Sequence, residues 1–555
     1  MQDDAQLVFV ALGGLREIGL NCALYGFGPA RRRKWMMVDL GLAFAGEEAP
    51  GVDLVMPDLS FVQAIKRDLA GIVITHAHED HIGALAALWP SLGVPVYMTR
   101  FAAGLAEARR LGEPGAPKIP IRIVPLGGRV EVGPFEVEFI PVAHSIPESA
   151  ALAIRSPAGL VVHTGDWKID PTPGVGAPTD EARLKALGDE GVLALVCDST
   201  NVVREGESPS EADVARTLRE LVAEARGRVI VTTFASNVAR LRAAAEAGLA
   251  AGRQVLVMGR AMERVIAVAR ECGYLDGLPP FLSADPFERL PRDKVLALAT
   301  GSQGEPRAAL ARMSTDEHPR ASLAAGDRVI FSSRTIPGNE RAVGRIINAF
   351  CERNVEVVTD RTRLVHVSGH PRRAELRRMY EWVRPQIAVP AHGEPLHLTE
   401  HTAFAKAQGV KEVVRPFNGD VIALEAGRAR PIDRVTVGRR YRDGEILLPT
   451  GDECVAERRR LSFAGVVSVA LALSDKGDLV GDPDVMIAGL PKSTRDGAGF
   501  DALVDAAIFE TIESLPRAKR RDADFVSTAI ERAVRNSVHS VWGKRPTVHV
   551  LVVEV

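Results

Sequence analysis

The stretch Thr75-His76-Ala77-His78-Glu79-Asp80-His81-Ile82-Gly83 places four candidate metal ligands within six residues, directly after the apolar run Gly71-Ile72-Val73-Ile74-Thr75. In an extended segment, side chains two positions apart share a face, so His76 and His78 can grip one ion. Asp80 and His81 follow where the chain should turn into the helix His81-Ile82-Gly83-Ala84-Leu85-Ala86-Ala87-Leu88-Trp89, and they are free to point elsewhere. One loop can therefore serve two adjacent ions. Imidazole and carboxylate without thiolate suit zinc, with manganese or magnesium as alternatives.

Two neighbouring cations need a shared ligand and more donors than one loop supplies. His144 ends the run Phe135-Glu136-Val137-Glu138-Phe139-Ile140-Pro141-Val142-Ala143-His144, Asp166 ends Gly159-Leu160-Val161-Val162-His163-Thr164-Gly165-Asp166, and His392 follows Gln386-Ile387-Ala388-Val389-Pro390-Ala391. His392 lies 392 − 166 = 226 residues beyond Asp166. A single histidine at a strand end is usually just hydrogen-bonded. Three more ligands at strand ends behind a His-x-His-x-Asp-His loop argue for a metal centre instead.

The order of elements suggests how the chain returns. Residues 1 to 204 read as short strands broken by glycine and proline, and residues 205 to 360 alternate strands with amphipathic helices in the βαβ manner of a parallel sheet. Residues 361 to 435 resume the strand-then-histidine style, so the middle segment reads as an insertion. A charged connector at 436 to 455 leads to a small α/β appendage at 456 to 555, helical around 500–515 and 523–541.

Composition sets outer bounds. A chain of 555 residues exceeds one hydrophobic core, so two or three domains are expected. With 46% hydrophobic and 25% charged residues it belongs among ordinary globular proteins. The start Met1-Gln2-Asp3-Asp4 is acidic where a signal peptide is basic, and no apolar run approaches the ~18 residues of a membrane span, so a cytoplasmic protein without a membrane partner is expected. Five scattered cysteines (Cys22, Cys197, Cys272, Cys351, Cys454), none in a Cys-x-x-Cys pair, read as small buried hydrophobes. A net charge of −2 gives no global attraction to nucleic acid, so any polyanion site is local. Gly301-Ser302-Gln303-Gly304-Glu305-Pro306 lacks the Gly-Lys-Ser/Thr of a phosphate loop, which argues against ATP hydrolysis.

The ligand loop, with Val38-Asp39-Leu40-Gly41 before it and Val142-Ala143-His144, His163-Thr164-Gly165-Asp166 and Ala391-His392-Gly393-Glu394 after it, resembles the metallo-β-lactamase superfamily. Cys197-Asp198-Ser199-Thr200-Asn201, His366-Val367-Ser368-Gly369-His370 and Pro390-Ala391-His392-Gly393-Glu394 resemble motifs A, B and C of the β-CASP nucleases. Ile18-Gly19-Leu20-Asn21, Thr232-Thr233-Phe234-Ala235-Ser236-Asn237 and Ser332-Ser333-Arg334-Thr335-Ile336-Pro337-Gly338-Asn339 narrow the likeness to bacterial ribonuclease J, over about residues 7 to 440 and more weakly beyond. The resemblance implies an α/β fold, an αββα metallo-β-lactamase sandwich with an inserted β-CASP domain and a small C-terminal α/β domain. It implies two zinc ions per subunit, one on His76, His78 and His144, the other on Asp80, His81 and His392, bridged by Asp166. Asp39 and Asp198 would orient ligands, and His370 would act near the leaving group. A 5′-phosphate pocket would draw on His366, Ser368, Gly369, His370, Ser236, Asn237, Ser332 and Ser333.

The resemblance further implies a ribonuclease acting 5′ to 3′ on single-stranded RNA with a 5′-monophosphate, with some endonucleolytic cutting, in rRNA 5′-end maturation and mRNA turnover. A homodimer or homotetramer and partners in an RNA-decay complex are also expected. A DNA-directed β-CASP nuclease, a small-molecule metallo-hydrolase and a catalytically silent RNA-binding subunit are the alternatives. The inserted domain argues against the small substrate, and the full ligand set against silence.

Overall fold

The computed structural model describes residues 5–46, 48–113 and 115–555. The chain forms two compact units, one running to Ala43 and resuming over Val55–Arg439, the other made of Phe44–Leu54 and Arg440–Val555.

Two sheets build the base of the first unit. Among the described residues, an eight-stranded sheet runs in the order Arg428–Arg434, Asp420–Glu425, Gln6–Gly13, Cys22–Gly28, Lys34–Val38, Leu69–Val73, Val96–Met98, Ile121–Ile123. A seven-stranded sheet runs Glu412–Val413, Ile387–Ala391, Val192–Asp198, Gly159–His163, Ala150–Ser156, Phe135–Pro141, Arg129–Val132. The period-2 pattern of the second sheet explains its two covered faces. Along Ala150–Ser156, Ala150, Leu152 and Ile154 join Phe9, Tyr25 and Val38 of the first sheet in one core, while Ala151 and Ala153 point into a second core. That second core is filled by Leu184 and Leu187 of helix Glu181–Glu190 and by Leu376, Met379 and Val383 of helix Arg373–Val383. Strands apolar on both faces are what a sheet buried on both sides requires. The return of residues 387–434 to both sheets after the insertion closes an αββα sandwich.

The inserted segment carries its own five-stranded, wholly parallel sheet in the order Gln254–Met258, Val295–Ala299, Val229–Thr232, Arg328–Phe331, Glu356–Val358. Its first strand in sequence, Val229–Thr232, is central, and the connection from it runs to one side while that from its neighbour Arg328–Phe331 runs to the other. A crevice is expected at the carboxyl ends of such strands. Thr233-Phe234-Ala235-Ser236-Asn237, Thr300-Gly301-Ser302 and Ser332-Ser333 all lie at those ends.

The second unit stacks helices Phe500–Ser514 and Ala523–Trp542 on a sheet of Asp484–Ala488, Val466–Leu473 and Thr547–Glu554. Two sequence expectations give way here. The segment 436–455 is not a plain connector, because Arg439–Asp443 pairs with Ile446–Pro449 as a hairpin and helix Glu453–Ala464 follows at once. Gly444, at φ +59°, takes the first position of its two-residue loop Gly444-Glu445, where a tight hairpin turn favours glycine. Residues 44–54, read with the first domain, belong to this unit, tied to the hairpin by Asp53 N to Arg442 O at 2.9 Å and Gly444 N to Asp53 Oδ2 at 3.0 Å. The cysteines divide too, since Cys22 and Cys197 are buried whereas Cys351 is exposed. On helix Arg373–Val383, Arg373 and Arg378 pair with Glu400 and Glu181.

Candidate metal centre

The ligand loop leaves strand Leu69–Val73 and enters the short helix Glu79–Ile82, so His76 and His78 stay extended while His81 turns back under the sheet. Neighbouring loops lace it in place. Leu40 N donates to His81 O at 2.7 Å, and Asn21 N donates to Asp80 O at 3.0 Å. Gly41 is required at this crossing, because a Cβ there would lie 1.7 Å from Asp80 O.

Donor accounting fixes which ring nitrogens face inward. Asp39 Oδ2 accepts from Thr75 Oγ1 at 2.8 Å and from His81 Nδ1 at 2.6 Å. With its proton committed to Asp39, the Thr75 hydroxyl accepts from His76 Nδ1 at 3.0 Å. His144 Nδ1 donates to Gly369 O at 2.7 Å. His76, His81 and His144 therefore each direct Nε2 toward the centre, as ligating histidines with a fixed outer nitrogen do. Gly369 must be glycine for this, since a Cβ would meet His144 Nδ1 at 2.5 Å.

Three groups of donors converge, each with its ligand atoms within 4.8 Å of one another: His76, His78, His144 and Asp166; Asp80, His81, Asp166 and His392; and Asp166, Asp198, His370 and His392. Asp166 belongs to all three. Its Oδ2 lies 3.8 Å from His76 Nε2, 3.8 Å from His144 Nε2 and 3.3 Å from His81 Nε2, while Oδ1 lies 2.7 Å from His392 Nδ1. In the third group, His370 Nδ1 is held by Asp198 Oδ2 at 2.7 Å.

The residues fit divalent cations. His76 Nε2 and His144 Nε2 lie 3.1 and 3.0 Å from His78 Nδ1, so buried nitrogens converge on one point. His392 Nε2, 3.4 Å from Asp80 Oδ2, is buried with no hydrogen-bond partner. Nitrogen and carboxylate donors without thiolate suit zinc. Burial pulls His78 down to about 4 and holds His76 and His144 well below the usual histidine range, leaving lone pairs free near neutrality. Burial also opposes the charged forms of His81 and His392, but Asp166 with Asp80 and its neighbours outweighs it and raises both. Cation binding at the second group would accordingly displace protons.

All seven residues expected as ligands and both expected orienters meet here, whereas parts of the expected phosphate pocket do not. Ser332 is fully buried, donating to Val365 O at 2.6 Å and accepting from Arg240 Nη1 at 2.8 Å. Asn237, 1% exposed, caps helix Val238–Ala250 by accepting from Arg240 N at 2.9 Å. Ser332 serves the fold by meeting the buried Arg240 guanidinium, itself ion-paired with Glu211, and Asn237 by capping the helix. Ser333 is buried and Ser236 half-buried at the same strand ends. Ser368 Oγ accepts from Asn201 Nδ2 at 2.8 Å and from His370 N at 3.4 Å, which shapes the loop. His366 does retain a buried Nδ1 with no partner. Burial, then Arg240, Arg334 and Lys168 nearby, hold its pKa well below the ordinary value.

Sequence reading missed the supports. Asn21 reaches Asp80 Oδ2 at 3.4 Å, and Asn201 bonds both Ser368 and His370 O; each stands in a motif of the family likeness but had no role there. Ser199 N and Thr200 Oγ1 donate to His392 O at 3.3 and 3.2 Å, bracing a ligand whose φ is +47°. Ser199 Oγ in turn lies 2.8 Å from Nδ1 of the fully buried His401, whose Nε2 is 3.0 Å from the Tyr380 hydroxyl. Tyr380 donating to Nε2, Nδ1 donating to Ser199 and Ser199 donating to Cys197 O at 3.5 Å uses every proton in that chain.

Burial lowers His401 to about 4. Its folded pKa is depressed below the unfolded value of about 6.5, so its contribution to stability is complete above about pH 6.5 and is lost as pH falls toward 4, by about 3 kcal/mol. Unfolding free energies measured from pH 7 to 4.5 should fall less steeply for His401→Gln than for the wild type. Parallel profiles would show that other groups carry the acid loss.

Comparison with known families matches this architecture in order. The metallo-beta-lactamase superfamily matches residues 21–193, the ribonuclease J beta-CASP domain residues 226–350, the Zn-dependent metallo-hydrolase RNA specificity domain residues 354–416 and the ribonuclease J C-terminal domain residues 453–555. Ribonuclease J of Sinorhizobium meliloti is 51% identical over 555 residues, covering 100% of this chain and 98% of that protein. Ribonuclease J of Mycolicibacterium smegmatis is 38% identical, covering 98% and 97%, and that of Mycobacterium tuberculosis 36%, with the same coverage. A solved protein of unknown function from Enterococcus faecalis, at 16% identity and a TM-score of 0.52, covers 76% of this chain and 100% of its own, and shares the fold. The ordered succession of domains, the full-length identity and the convergent histidines and aspartates agree: the chain belongs to the ribonuclease J family, metal-dependent hydrolases of RNA.

Proposed function

We propose that the chain is a two-metal ribonuclease that shortens single-stranded RNA from 5′-monophosphorylated ends and also cuts internally, in the cytoplasm, in rRNA 5′-end maturation and mRNA turnover. The observation that carries this reading is Asp166, one carboxylate common to a histidine-rich group and a carboxylate-rich group. Two divalent cations held by these groups would activate water near neutral pH and offset charge on the scissile phosphate. Asp39, Gly369 O and Thr75 hold the ligand rings by their outer nitrogens. His370, fixed at Nδ1 by Asp198, has its other nitrogen free to deliver a proton to the departing oxygen. Burial opposes its protonated form, but Asp198 and Asp166 raise its pKa above the ordinary value, which suits an acid. The unpartnered His366 Nδ1, near Arg240, Arg334 and Lys168, supports an anion pocket for the 5′-phosphate. The second unit, on this reading, joins copies of the chain into a dimer or tetramer.

The test supplies end-labelled RNA carrying a 5′-monophosphate or 5′-triphosphate, with zinc, manganese or magnesium, to the wild type and to Asp80→Ala/His81→Ala. Mononucleotide release that needs metal, favours the monophosphate and is lost in the variant is expected. Cleavage indifferent to the 5′ group would remove the pocket and keep the nuclease.

A further inference from the structure

We infer that Phe417 and Arg16 form a stacking platform for a nucleobase of single-stranded RNA at the rim of the metal centre, an inference that rests on the ribonuclease reading above. Phe417 is 48% exposed, and the Arg16 guanidinium lies 4.2 Å from its ring centroid. Arg16 makes no ion pair among the described residues, so its charge remains available to a phosphate. Its φ is +64°, a left-handed conformation that side chains other than glycine adopt at a cost.

Both residues sit on loops that are held firmly. Asn418 accepts from Leu15 N at 3.2 Å and donates to Leu15 O at 3.1 Å and Glu17 Oε1 at 2.9 Å, while Gly419 N donates to Ala11 O at 2.7 Å. These bonds lock the loop bearing Phe417 to the loop bearing Arg16. The Arg16 loop then touches the metal centre directly. Leu15 and Glu17 bridge to Gly393, the neighbour of His392, and Asn21 bonds Asp80. The Asp80 side chain, 30% exposed, is the most open of the second ligand group, and a Cβ on Gly19 would lie 3.7 Å from Asp80 Cβ.

An exposed aromatic ring paired with a free guanidinium beside a phosphodiester-cleaving centre matches how proteins hold single strands without reading sequence. Every base offers a π-face, and the cation meets the backbone. The His366–His370 loop abuts the first ligand group through Gly369 and His144, whereas this platform abuts the second through Asn21 and Asp80. Strand to one side of the cut would meet the first rim and strand to the other side the platform.

The experiment measures binding of a single-stranded RNA containing 2-aminopurine, by fluorescence, and steady-state hydrolysis, for the wild type, Phe417→Ala and Phe417→Tyr. Truncating an exposed ring leaves the fold intact. For Phe417→Ala, weaker binding and a KM raised about ten-fold, with kcat changed less than two-fold, are expected, and the tyrosine should restore wild-type values because it keeps the ring. A dinucleotide, too short to reach both rims, should be cut alike by all three. Equal RNA affinity of wild type and Phe417→Ala, whether tight or absent, overturns the platform. Loss of hydrolysis in every protein with the affinity difference preserved would overturn the nuclease reading alone.

Discussion

Asp166→Ala should lower kcat for RNA hydrolysis about a thousand- to ten-thousand-fold, the largest loss expected from any single substitution. One carboxylate serves both principal ligand groups, so its removal opens both at once. Bound cations supply several kcal/mol of transition-state stabilisation, and each 1.36 kcal/mol is ten-fold in rate. Asp166→Asn keeps the shape but offers a neutral amide, and should fall nearly as far. Zinc measured per chain should drop in both variants while circular dichroism stays native. Retention of a tenth of the activity would refute the shared-ligand assignment.

Asp198→Asn should come next, with kcat reduced about a hundred- to ten-thousand-fold, the range spanned by positioned acid–base groups. Asp198 Oδ1 accepts from Thr200 N at 2.8 Å, a bond an asparagine oxygen can keep, while Oδ2 accepts from His370 Nδ1 at 2.7 Å, which an amide nitrogen cannot. The turn should survive and the histidine lose its orienting partner. Because Asp198 raises the His370 pKa, the alkaline limb of the kcat profile should also move to lower pH in the variant. KM for RNA should change little. A loss of kcat with an unmoved limb would assign Asp198 to the fold and not to His370.

The sequence made the convergence legible because the histidines and aspartates stand at strand ends, in a spacing that strand and turn geometry bring together. His76 and His78 share a face by period two, and Asp39, at φ +62° after strand Lys34–Val38, reaches the loop from the next strand. Other parts were hidden for physical reasons. Ser332 and Asn237 stand where ligands stand, yet the buried Arg240 guanidinium takes the first and a helix N-terminus the second, and burial of Arg240 has no local signature. The chain Tyr380, His401, Ser199 comes from three separate elements whose meeting only the folded sheet dictates. By contrast the hairpin at 439–449 left a signal in Gly444, which opens its two-residue loop, and the surrounding charge outweighed it.

The insertion also separates the two halves of the centre in time. His76, His78, His144 and Asp166 have all been synthesised by residue 166, whereas His392 comes 392 − 166 = 226 residues later. At roughly 5–20 residues per second, translation leaves an interval of about 10–45 s in which the second group still lacks His392. A chain of an RNA-cutting family is thus kept without a complete centre for as long as the message encoding His392 is still being read.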